Sequence, residues 1–130
     1  MKTAQESIAR TFYQTFTKEV LHLAREANAS KYSKDLDGFT LTNIKDGWVE
    51  FRGMAFGFAL LEDPPRITLT FGPDGPFVGY QQVFDIYSEG EKVKCVLQED
   101  EAFVFECPSE LAKFGLNTLV GKLHERNAVQ

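Results

Sequence analysis

A chain of 130 residues is long enough for one domain with its own core, without help from a disulfide or a metal. Hydrophobic residues at 43% and charged residues at 25% exclude a disordered chain, and a net charge of −5 argues against nucleic acid as a partner. The longest apolar run, residues 54–61, falls far short of the ~20 residues of a membrane helix.

The segment behind Met1 lacks the apolar core of a secretory signal. Cys95 and Cys107 are too few for a disulfide framework, so two free thiols in a reducing cytoplasm are expected. Residues 4–29 read as a helix. Ile8, Phe12, Phe16, Val20, Leu23 and Ala27 recur at spacings of three and four, one stripe on a 3.6-residue period. Leu21 points off that stripe. His22 does too, and with Glu26 it has the spacing of two metal ligands on one helix face. No third ligand is placed near them, so no metal is expected. His124 points off the second helix in the same way. Asp37-Gly38 ends the first helical pattern.

From residue 39 to residue 107 the period changes to two. Asp46-Gly47 is the dipeptide of a two-residue hairpin between Lys45 and Trp48. A second strand is expected over residues 48–61, ended by Pro64-Pro65. Within it Met54, Phe56, Phe58 and Leu60 share one face, and Gly53, Ala55, Gly57 and Ala59 the other. The bare strip suits close approach of a helix, or room for a ligand. Residues 66–71, 77–87, 92–97 and 102–107 complete six strands joined by short loops, an antiparallel meander. Pro108 suits the first position of a second helix, with Ala112, Gly115, Leu116, Leu119 and Leu123 as its stripe. Gly115 on that stripe would let the helix approach a neighbour closely. The expected fold is α+β: N-terminal helix, six-stranded meander, C-terminal helix, both helices on one face of a curved sheet, in a single domain over residues 1–130.

No nucleophile–base arrangement, phosphate loop or cofactor motif stands out, so a non-enzymatic role is favoured and no cofactor is expected. Two features point to binding. The Phe-rich strand makes Met54, Phe56 and Phe58 candidates for lining a pocket between sheet and helices. Asp85, set among Val83, Phe84, Ile86 and Tyr87, is the strand carboxylate that could act as acid or base there. Secondly, if Leu97 pairs with Ala102, then Val93, Cys95, Leu97, Ala102 and Val104 share one face of the last hairpin. Val96, Phe103 and Phe105 then share the other, which the helices leave wet. With Leu21 and Phe114 they are candidates for a dimer interface, and Trp48, Met54, Phe56 and Phe58 could join them.

Charge is uneven. There are six basic and three acidic residues up to Lys34, fifteen acidic and five basic from Asp35 to Glu110, and three basic and one acidic beyond. An acidic sheet would select a basic protein partner. The leading expectation is a binding or protein-interaction module acting as a homodimer. The alternatives are a carrier of a small apolar ligand, and a small isomerase or hydrolase using a strand carboxylate.

Overall fold

The computed structural model describes residues 4–29, 41–45, 47–51, 54–62, 64–73, 78–90 and 92–129. Asp37-Gly38, Asp46, Gly53, Phe77 and the side chains of Ala27, Leu123 and His124 lie outside the described residues. Helix α1 spans Ala4–Ala29, the bounds read from its periodicity. Seven strands follow: β1 Leu41–Lys45, β2 Trp48–Phe51, β3 Met54–Glu62, β4 Pro65–Gly72, β5 Tyr80–Glu89, β6 Lys92–Leu97 and β7 Val104–Phe105. Helix α2 closes the order at Pro108–Val129. The sheet is an antiparallel meander in sequence order.

The meander is as expected, with one more strand. Residues 48–61 are two strands, because Phe51 pairs with Met54 and the chain reverses between them. The first hairpin closes where the Asp-Gly dipeptide puts it: Lys45 faces Trp48, and Gly47 has a φ of 98°, which favours glycine.

Both helices lie on the bulky face of β3. Phe16 of α1 meets Phe58 edge to face at 5.5 Å, and Phe114 of α2 meets Phe84 at 5.9 Å. One core joins Phe12, Phe16 and Val20 of α1 to Phe56, Phe58, Ile67, Leu69, Phe71 and Phe84 of the sheet and Leu111, Leu116 and Leu119 of α2. The helices also pack on each other. The bare strip of Ala55, Gly57 and Ala59 therefore faces away from them, contrary to the helix approach expected there. Large rings bury more apolar area against a helix than a glycine strip can, so the helices take the ring side. Arg10 of α1 pairs with Glu62 at the end of β3.

The close approach expected of Gly115 does occur, on the ring side. A Cβ at Gly115 would stand 2.6 Å from Cζ of Phe56. That ring is fully buried and stacked on Phe71 at a centroid distance of 4.9 Å, so it cannot swing aside.

The last hairpin departs from the expected register by one residue. Cys95 pairs with Phe105 and Val96 with Val104. Leu97 N–H donates to the carbonyl of Phe103. Asp100 causes the shift: its Oδ1 accepts the Ala102 N–H at 3.1 Å, and its carbonyl accepts the Phe103 N–H at 3.0 Å. Ala102 is thereby drawn into the turn. A one-residue slip exchanges the faces of a strand, so Phe105 turns inward and Val104 outward.

Replacing Gly115 with Ala should destabilise the protein by about 1–2 kcal/mol, because overpacking against Phe56 outweighs the gain in helix propensity. Gly121 has open space around it. Gly121→Ala should instead stabilise by up to ~1 kcal/mol. Urea unfolding of the two variants checks the opposite signs.

Candidate functional site

Three surfaces and two thiols carry the chemistry. The first surface is the sheet face turned away from the helices. Register places Trp48 and Glu50 of β2, Ala55, Gly57, Ala59 and Leu61 of β3, Arg66, Thr68 and Thr70 of β4, Gln81, Val83, Asp85 and Tyr87 of β5, Lys92, Lys94 and Val96 of β6 and Val104 of β7 on it. Ala55, Gly57, Thr68 and Thr70 form a low, buried centre. Leu61, Tyr87 and Val104 stand around it with 40%, 48% and 43% of their surface exposed. Among the described residues no element covers this face.

Asp85 lies on this open face, half-buried, and its Oδ1 accepts a hydrogen bond from Nε2 of Gln98 at 2.9 Å. It does not share a site with Met54, Phe56 and Phe58. Those three side chains are buried on the opposite face, where the helices rest on them. The expected pocket between sheet and helices is filled at that point by the rings themselves. Phe56 lies 5.2 Å from Phe58 and 4.9 Å from Phe71.

The second surface is aromatic. Of the residues expected on the wet face of the last hairpin, only Val96 lies there. Phe105 packs inward, 5.9 Å from Phe84 and 5.1 Å from Phe114. Phe103 leans on Phe114 at 5.7 Å and stays exposed. Phe114 and Leu21 are half-buried against the core. The register shift drove this regrouping. It turned what reads as an outer patch into a ring cluster that seats α2 on the end of the sheet.

The third surface is an open cleft of about 520 Å³ that periodicity does not reveal. Ile8, Thr11, Phe12 and Thr15 of α1 form one wall. Lys92 and Val93 of β6, with Glu106 and Pro108, form the other. Alternation gives both strands of the last hairpin six residues, 92–97 and 102–107, so the sequence carries no signal for this cleft.

The two thiols are chemically opposite. Cys95 is fully buried, and its pKa is pushed up to about 12 by burial, with the Asp85 carboxylate adding to it. Cys107 is exposed at the start of α2, where its carbonyl accepts the N–H groups of Glu110 and Leu111. Its Sγ lies 3.0 Å from Oγ of Ser109, and that hydrogen bond draws its pKa below the ordinary thiol value. Both are free. His22 pairs with Glu26 at 3.1 Å on the exposed face of α1. No group of three metal-ligating side chains occurs among the described residues. No described helix is long and apolar enough to cross a membrane.

No protein-family model, curated protein or solved structure matches the chain. What the surfaces define is an α+β protein with exposed hydrophobic and aromatic patches of the kind that bind a ligand or another protein.

Iodoacetamide at about pH 7.5 should modify Cys107 in the folded protein and Cys95 only after unfolding, as read by peptide mass spectrometry. The raised pKa of Cys95 also sets a pH dependence. The stability held by its neutral thiol is complete below about pH 8.5, where the unfolded thiol is protonated. It is lost as pH rises towards about 12. A Cys95→Val variant should lose less stability than the wild type between about pH 9 and 11 in chemical denaturation.

Proposed function

We propose that the protein is a non-enzymatic interaction module that works as a homodimer, closed through the open face of the sheet. The supporting observation is that this face combines exposed Leu61, Tyr87 and Val104 with half-buried Trp48, Val83 and Val96. Each large apolar side chain covered contributes roughly 1.5–3 kcal/mol, which several per subunit set against the entropy of association.

Charge selects the occupant. The chain as a whole carries −5. Its open face places Glu50 and Asp85 beside Arg66, Lys92 and Lys94. A face of mixed sign can set opposite charges against each other after a two-fold rotation, whereas a basic protein partner would prefer a face with excess acid. The two free thiols, one of them exposed, fit a reducing cytoplasm. The alternatives have less support. Rings fill the space between sheet and helices where an apolar ligand was expected. Asp85 sits on the open face rather than in a closed catalytic pocket.

Analytical ultracentrifugation at micromolar concentration should give twice the chain mass of 14.7 kDa. Val104→Glu places an unpaired charge in the interface, and it should weaken association at least tenfold, about 1.4 kcal/mol or more. Because Val104 is a surface residue of the subunit, its circular dichroism should not change. A wild-type chain that sediments only as a monomer would remove the proposal.

A further inference from the structure

Two of the sheet's steps, places where one strand outruns its neighbour, end differently. At the first, β3 continues past Trp48, the last β2 residue in register with it, at Gly57. Phe58 lies beyond the step and is still satisfied. Its N–H donates to the Gly47 carbonyl at 2.9 Å, and its carbonyl accepts the Tyr13 hydroxyl at 3.0 Å.

The second step is open. β7 covers only Cys95 and Val96 of β6. Leu97 N–H donates to Phe103 in the last hairpin, whereas Gln98 N–H donates to Val83 of β5. Odd-numbered residues of β6 thus direct their backbone groups towards β7, and Val93 directs its N–H and carbonyl past the end of that strand. The chain has already left the sheet there, because Pro108 opens α2. Among the described residues neither group of Val93 has a hydrogen-bond partner. Val93 is also part of the wall of the cleft against α1.

We propose that this cleft takes an extended peptide segment of a partner protein, which adds a short strand beside β6 at Val93. Strand addition supplies main-chain hydrogen bonds for affinity and side-chain seats for selection. The backbone of Val93 offers one donor and one acceptor. Ile8, Phe12 and Val93 offer an apolar seat for one side chain. Lys92 and Glu106 stand on the same cleft, opposite in sign and without an ion pair between them. A segment with an apolar central residue, an acidic neighbour towards Lys92 and a basic neighbour towards Glu106 matches that arrangement. The free edge is three residues long, ~10 Å of strand. Symmetric pairing with a second copy would bring that copy's β7 and α2 along the same edge, and a gap of that length admits only a single strand.

The test uses the full chain and a panel of fluorescein-labelled ten-residue peptides that alternate Val with Thr. Each carries a central Phe, with Glu and Lys at either side in both orders. Fluorescence anisotropy should show saturable binding by one order of charges. N-methylation of alternate backbone nitrogens on the pairing side should weaken it at least tenfold. The Val93 amide should exchange rapidly in the free protein and be protected by the peptide. Thr15→Arg fills the cleft from the exposed face of α1, and it should abolish binding without altering the thermal midpoint by more than a few degrees. Val93→Pro removes the outward N–H at a position where an edge strand tolerates proline, and should also abolish it. Binding that survives N-methylation, or Thr15→Arg, would overturn the proposal, as would no binding by any peptide at millimolar concentration. Protection of the Val93 amide in the free protein that grows with protein concentration would also overturn it, and would assign the edge to a second copy.

Discussion

Phe56 is the ring on which the layers of this protein meet. Phe71 of the next strand stacks beneath it at 4.9 Å, Phe58 flanks it at 5.2 Å, and Gly115 of α2 rests directly on it. That contact fixes the height of α2 above the sheet. The height in turn lets Phe114, one residue before Gly115, reach Phe84 and Phe105. The helix then packs alongside α1, which is seated by Phe16 on Phe58. With both helices committed to the ring side, the glycine and alanine strip of β3 is left to the other face. The open surface is thus a consequence of where the bulk lies on one strand.

The two steps in the sheet are the same structural problem with different answers. An antiparallel ladder must leave backbone groups over wherever one strand is shorter than its neighbour. At Phe58 the answer comes from a helix side chain, Tyr13, and from the hairpin glycine. At Val93 the nearby helix faces the strand across a cleft, with Phe12 and Thr15 on its wall. The cleft exists because Pro108 starts a helix where a longer β7 would have run.

Much of the fold is legible in the residues. The bounds of α1, the meander, the hairpin at Gly47 and the start of α2 follow from period and turn chemistry. The reversal after Phe51 is less legible, because the residues on both sides of it are good strand formers. The side chosen by the helices rests on a comparison of buried area that alternation alone does not make. The register of the last hairpin rests on Asp100 capping Ala102, a side-chain hydrogen bond inside a turn with several acidic residues that could have made it. That one bond moved Phe105 from the expected outer patch to the core. The cleft is tertiary in origin: Ile8 and Val93 are 85 positions apart in the chain.

The last hairpin also bears on how this protein can change over generations. Its connection, residues 98–102, sets whether odd or even positions of the following strand point inward. Loss or gain of a single residue there would expose Phe105 and bury Val104, exchanging interior and surface at the point where α2 is seated. A change of two residues would restore the alternation. Insertions and deletions in this loop are therefore filtered by parity, and descendants of this chain should vary its length in steps of two while the substitutions around it drift freely.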